Sequence, residues 1–169
     1  MIRAMMGSAL GACVLFAGCQ GGPKVGEAAP SFEATTSDGQ LVDLASYEGK
    51  VTVLDFWATW CGRCVVATPY VQRLHEQYAD DPRVAIVGVH KDTDYRKGEP
   101  AAYWAEKGYT FDMIPDGRAV AEAYGVAGLP HFVVIDGDGE VIHRQNGFGE
   151  DDIAAFGAII DGALESAEG

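Results

Sequence analysis

With 169 residues, 48% of them apolar, the chain can bury one full core but not two, and it resembles neither a disordered chain nor a small disulfide-stapled one. A formal charge of −13, with the acidic residues spread along the sequence, argues against a nucleic-acid partner, which would need clustered Lys and Arg. The four cysteines sort into Cys13 and Cys19 in an apolar N-terminal stretch and the tight pair Cys61 and Cys64, leaving none to build a disulfide framework.

The N-terminus opens on a short cationic Met1-Ile2-Arg3, then runs uncharged from Ala4 to Ala17 through Leu10, Val14, Leu15 and Phe16. About 14 apolar residues are too few to cross a ~30 Å hydrocarbon core as a permanent helix and suit a secretory signal. The run closes on Phe16-Ala17-Gly18-Cys19, ahead of polar Gln20-Gly21-Gly22. This resembles the lipobox of bacterial lipoproteins, with Phe16 where leucine is usual. The resemblance implies that residues 1–18 are a signal peptide, that Cys19 is lipidated as the first mature residue, and that Cys13 is discarded. The competing reading is a plain signal peptide cleaved nearby, with Cys19 incidental. Gln20 after the cysteine hints at outer-membrane sorting. Residues 19–30 are then the lipidated cysteine and a tether whose flexible part reaches ~18 Å. It holds the domain, residues 31–169, close to the membrane in the bacterial cell envelope, facing the periplasm or the extracytoplasmic side.

Phe32 to Thr35 and Gln40 to Leu44 read as strands joined by the turn Ser37-Asp38-Gly39. Val51 to Trp57 is a continuous apolar run rich in β-branched residues, a central buried strand. Cys61 to Tyr78 carries Val66, Tyr70, Val71, Leu74 and Tyr78 at helical spacing, with Pro69 predicting a kink. Arg83 to Val89 reads as a second buried strand, Glu99 to Lys107 as a helix, and Tyr109 to Met113 as a short strand. Asp116 to Tyr124 reads as a short helix capped by Asp116 and stopped by Gly125. Phe132 to Ile135 and Glu140 to His143 flank the hairpin signal Asp136-Gly-Asp-Gly139, and Glu150 to Leu164 is a closing amphipathic helix. This order predicts an α/β domain, a mixed sheet with helices on both faces.

The strongest chemical signal is Cys61-Gly62-Arg63-Cys64 at a strand-to-helix junction. A cysteine in the first turn of a helix meets unpaired N–H groups and the positive dipole end, which favour the thiolate, the reactive form. Cys64, three residues on, lies about one turn further into the helix, where it can resolve a mixed disulfide on Cys61. Half of a zinc site is the competing reading, but no second cysteine or histidine pair completes four ligands.

Leu54-Asp-Phe-Trp-Ala-Thr-Trp-Cys-Gly-Arg-Cys64 resembles the active-site segment of the thioredoxin superfamily. From about Val25 to Leu164 the chain is similar to the TlpA/ResA-type redoxins, through Gly26 to Phe32, Ala123 to Val126 and Gly128 to Asp136. The resemblance implies a thioredoxin fold with an N-terminal β-hairpin and a central insertion. It implies an enzyme that exchanges thiols and disulfides, with no cofactor beyond its own Cys61–Cys64 disulfide and no metal. Its partners would be disulfide-containing envelope proteins and a membrane thiol reductase as electron donor. Carried over by position, Pro130 is a cis-proline facing the dithiol, and the Leu129 backbone pairs with an incoming peptide. Asp55, a carboxylate in an apolar strand, matches the buried acid that handles the proton of the resolving cysteine. Two departures stand out: Ala67 replaces the glutamate expected three residues after Cys64, and Gly88 falls where a lysine often faces the acid. Arg63 places a cation where thioredoxin has proline, favouring the dithiol form.

Trp57 reads as core and Trp60 as part of the rim where substrate docks, while Gly62 and Arg63 tune the redox pair. His131 beside the two cysteines leaves a copper chaperone or a non-catalytic adaptor as the alternative, although copper-binding relatives use a different cysteine spacing. His75, His90 and His143 read as surface or strand-end residues. A peroxiredoxin reading fails, since Trp57 and Ala58 stand where that family has Pro and Thr.

Overall fold

The computed structural model describes residues 21–92, 98–149 and 151–167; the expected signal peptide, Cys19 and Gln20 lie outside them. Strands β1 (Glu33–Thr35) and β2 (Leu41–Asp43) form the antiparallel N-terminal hairpin, and a 3-10 turn follows over Leu44–Tyr47. The main domain then runs β3 (Val51–Trp57), α1 (Gly62–Gln77), β4 (Val84–His90), α2 (Pro100–Lys107), β5 (Asp112–Ile114), α3 (Arg118–Ala123), β6 (His131–Ile135), β7 (Val141–Asn146) and α4 (Asp152–Ser166). The five-stranded sheet has the order β5-β4-β3-β6-β7. β4 is parallel to β3 and to β5, whereas β6 is antiparallel to β3 and to β7. This is the thioredoxin-like mixed sheet the sequence predicts, with α2 and β5 supplying the central insertion.

β3 is the middle strand, and every one of its residues is buried, which explains why the sequence shows a continuous apolar run there. Its side chains alternate between two cores. Val51, Val53 and Trp57 pack with Cys61, Cys64, Ala67, Val71 and Leu74 of the α1 region and with Phe156 and Ile160 of α4. Leu54 and Phe56 pack on the opposite face with Val120, Ala121 and Tyr124 of the α3 region and with Tyr47. Position 55 therefore falls on the α1 face.

α1 continues through Pro69, which has no N–H to give to Val65. The residue before it, Thr68, donates its hydroxyl to the Cys64 carbonyl at 2.8 Å. α2 starts one residue later than the sequence predicts, because Glu99 is the cap: its carboxylate accepts the Ala102 N–H at 2.9 Å. α3 departs further. It begins at Arg118 with Gly117 as the N-terminal flank and no side-chain cap, so Asp116 does not play the predicted role. Gly117 is instead pinned by donating its N–H to the His90 carbonyl at 2.9 Å, and a Cβ there would lie 2.3 Å from Val89.

The tether also differs from expectation. From Gly21 onward it is bound to the domain. Gly26 N–H donates to Val141 O at 2.9 Å, Val141 N–H to Glu27 O at 2.9 Å, and Ala29 N–H to Gly139 O at 2.8 Å. Tyr124 Oη donates to Pro30 O at 3.0 Å, and Pro23 is buried. At the other side of the sheet, Ser37 N–H donates to Met113 O at 2.7 Å and ties the β1–β2 turn to β5.

Candidate active site

β3 ends at Trp57, and a three-residue loop delivers Cys61 as the N-cap of α1. Its sulfur accepts the Cys64 N–H at 3.1 Å, the position a capping serine oxygen would take. Cys61 and Cys64 are joined as a disulfide, with their Cα atoms 5.2 Å apart. Cys61 is 6% exposed and Cys64 only 1%, so attack from outside reaches Cys61 first. The first turn of α1 holds no acidic residue, and Arg63 extends from it into solvent. The positive end of the helix is thus left uncompensated beside the sulfurs.

Around the pair lie exposed apolar side chains. Trp60, Val65 and Val66 are 46%, 43% and 59% exposed, and Gly62 adds bare backbone between them. The Leu129–Pro130 peptide bond is cis. Leu129 is half-buried and touches both cores, at the end of the sheet where β6 begins. Trp60 is held in place: its Nε1–H donates to Asp92 Oδ2 at 2.8 Å, and Asp92 in turn meets Arg118 at 3.5 Å. A pocket of about 220 Å³ opens between Trp60, Lys91, Asp92, Arg118 and Glu122. Larger hollows of about 390 and 500 Å³ lie around the Asp136–Gly139 turn, away from the disulfide.

Six residues before Cys61, on the α1 face of β3, sits Asp55. It is 1% exposed, on the α1 face between Val53 and Trp57, and neither carboxylate oxygen has a hydrogen-bond partner among the described residues. Burial pushes its carboxyl up to about 7, the range in which a group can accept and return a proton near neutrality. The structure also explains why no lysine stands opposite. Gly88 is the direct strand partner of Asp55, and a Cβ on Gly88 would lie 2.8 Å from Trp104 Cη2. The indole of α2 fills the space a cation would need. Trp104 stacks on Trp57 at 4.8 Å and meets Phe111 edge-on at 4.7 Å, and its Nε1–H donates to Phe111 O at 3.0 Å. Tyr109 closes this aromatic wall at 5.0 Å from Trp104. Burial, with smaller contributions from Tyr103 and the Asp55 charge, pushes its phenol up to about 12. Ala67, where a glutamate would have reached the site, is buried core.

One residue near the site escaped sequence reasoning. His90 does end its strand, but it is fully buried rather than at the surface. Its ring lies 5.0 Å from that of Trp57, and its Nε2 accepts the Thr59 N–H at 3.4 Å, bracing the loop that carries Trp60 and Cys61. Burial holds its imidazole below the ordinary value, against the opposing pull of Asp92 and Glu99. The only sequence signal is its place at the end of an apolar strand. His131 is brought near the site but faces a cation: its Nε2 lies 3.3 Å from Arg144 Nη2. Burial, then Arg144 and Lys91, push it down to about 4, surroundings that favour neutral imidazole and disfavour a metal ion at that nitrogen. Among the described residues no group of three His, Cys, Asp or Glu side chains is placed to hold a metal.

A family model described as Redoxin matches residues 24–160. The thiol-disulfide oxidoreductase ResA of Bacillus thuringiensis subsp. konkukian is 30% identical over 135 residues, covering 73% of this chain and 70% of that protein. Among solved structures, a provisional thiol:disulfide interchange protein DsbE from Chlorobium tepidum superposes with a TM-score of 0.75 at 30% identity, over 84% of this chain and 99% of that one. The exposed lipoprotein thioredoxin of Streptococcus pneumoniae superposes with a TM-score of 0.61 at 26% identity, over 76% of this chain and 97% of its own.

Proposed function

The chain belongs to the redoxin family and is a thiol–disulfide oxidoreductase; from that premise we propose that it is held by a lipid on Cys19 at the extracytoplasmic side of a bacterial membrane, where it reduces disulfides of envelope proteins. The observation that carries the reading is Cys61, the more exposed of the pair, capping α1, with Asp55 buried on the same face of the sheet and without a hydrogen-bond partner among the described residues. The streptococcal neighbour, itself an exposed lipoprotein, supports the location.

In the reduced protein the Cys61 thiolate attacks one sulfur of the substrate disulfide. The Cys61–substrate bond forms, the substrate S–S bond breaks, and the released sulfur takes a proton from water. Asp55 accepts the proton of the Cys64 thiol, and the Cys64 thiolate attacks Cys61 Sγ. The second substrate sulfur leaves, the Cys61–Cys64 disulfide forms, and two electrons have passed to the substrate. A membrane thiol reductase returns them. The protein's own disulfide is the only redox group the cycle needs. Trp60, Leu129 and Pro130 form the edge along which the substrate strand lies, and Arg63 stabilises the thiolate.

The test is reduction of a protein disulfide such as that of insulin, followed with dithiothreitol as donor. Cys61→Ser is expected to abolish turnover, while Cys64→Ser accumulates a mixed disulfide on Cys61. Full activity in Cys61→Ser, or stoichiometric copper binding by the reduced pair without turnover, would overturn the reading.

A further inference from the structure

We propose that residues 21–30 act as a strut rather than a leash, so that the anchored protein serves disulfides held at the bilayer surface and discriminates against bulky soluble proteins. The inference rests on the lipidation of Cys19 proposed above. Arg144 is the hub of the strut. Its guanidinium donates to Gly21 O at 3.4 Å, to Pro23 O, and to Tyr124 O at 2.7 Å, and it meets His131 Nε2 at 3.3 Å. His131 directly follows Pro130, so a single side chain joins the N-terminal segment to the substrate edge. The backbones are pressed together: a Cβ on Gly22 would lie 2.0 Å from Tyr124 O, and one on Gly125 would lie 2.3 Å from the Gly21 carbonyl carbon. From Gly125 the chain enters the loop carrying Leu129 and Pro130. The Val126 carbonyl there accepts Lys91 Nζ at 2.6 Å, and Lys91 N–H bonds Trp57 O at 2.9 Å, where β3 turns toward Cys61.

Gly21 therefore rests at the dithiol end of the sheet, beside the substrate edge. Cys19 is two residues further on, at most ~7 Å away even if fully extended. The hydrogen bonds of Gly26, Glu27 and Ala29 to the β7 hairpin prevent the segment from swinging free. A lipid on Cys19 then brings the bilayer close to the rim around Cys61. Substrates whose disulfides lie at the membrane surface can meet that rim, and large soluble ones are hindered by the membrane itself.

The experiment compares lipidated full-length protein in phosphatidylethanolamine–phosphatidylglycerol vesicles with a variant carrying about fifteen Gly and Ser residues between Gln20 and Gly21, which adds ~20 Å of slack. Reduced Cys61 is alkylated with N-ethylmaleimide and, separately, with a polyethylene-glycol maleimide of several kilodaltons. The bulky-to-small rate ratio is expected to be about tenfold lower for the native chain than for the extended one, because a rim held against the bilayer hinders the bulky reagent far more than the small one. Both forms should reduce oxidised glutathione equally. Equal ratios on a protein whose Cys19 is lipidated by mass would overturn the strut and leave the anchoring intact. An unmodified Cys19 would overturn the anchoring, and the strut's role with it.

Discussion

Asp55→Asn keeps the shape of the buried side chain and removes its titration, so it isolates what the unpartnered carboxyl does to the fold. Folding raises that carboxyl from 3.8 to about 7 by burial alone. Between those values the native state holds a proton that the unfolded state has released. The unfolded chain then binds fewer protons, and stability falls as pH rises through the window. The full penalty is on the order of 4 kcal/mol, of which roughly 2–3 kcal/mol accrues between pH 5 and pH 8. His90 and His131, held below their ordinary values, titrate in the opposite sense: their contribution is present above about pH 6.5 and is lost as pH falls. Only the difference between the two proteins reads Asp55. Urea unfolding of both oxidised proteins across that pH range is the assay. The variant should gain on the native protein from pH 5 to about pH 7 and level off above it. It should also slow release of substrate from the Cys61 mixed disulfide near neutrality, by removing the proton acceptor for Cys64. Parallel stability profiles would refute the argument, because they would mean that Asp55 ionises inside the fold as readily as outside it.

Three further outcomes follow from the same wall and rim. Gly88→Ala should lower stability by about 1–3 kcal/mol, read by chemical denaturation, since the Cβ meets the Trp104 ring at 2.8 Å and the indole must move. His90→Leu leaves the Thr59 N–H without its acceptor and should cost about 1–3 kcal/mol, with insulin reduction slowed because the Cys61 loop loses its brace; an unchanged midpoint would dismiss the bond. Arg63→Gln should make the Cys61–Cys64 potential more negative by about 10 mV against glutathione, the size expected of one exposed charge, and a shift in the other direction would remove Arg63 from the tuning of the pair.

Much of this molecule is legible in its sequence because its signals are local. The apolar run of β3 matches the structure residue for residue, since a strand buried on both faces carries no polar alternation to blur its ends. Cys61 and Cys64 follow directly from a strand-to-helix junction, and the polarity of Asp55 alone marks it within β3. What the sequence hides depends on distant partners. His90 is buried because Thr59, 31 residues away, offers it an N–H, and nothing around position 90 records that bond. Asp116 has the chemistry of a cap, yet the hydrogen bond from Gly117 to His90 sets where α3 starts. The absence of a lysine opposite Asp55 is visible in the sequence. The reason for it, an indole arriving from α2, appears only when the sheet brings Gly88 and Trp104 together. Glycine and proline in residues 21–30 suggest slack, and the backbone pairing that removes it has no side-chain signature.

The N-terminal stretch has one more consequence, for association between copies. β5 and β7 are the outermost strands of the sheet, where free peptide groups can template pairing with a second chain. Ser37 occupies one of these margins through Met113, and Gly26 to Ala29 occupy the start of the other through Gly139 and Val141. Both covers lie in the first part of the folded domain to be synthesised, ahead of every strand they protect. Each margin therefore finds its own cover already present when it forms, and backbone pairing within the chain adds to the charge that Asp112 in β5 and Arg144 in β7 set against edge-to-edge association.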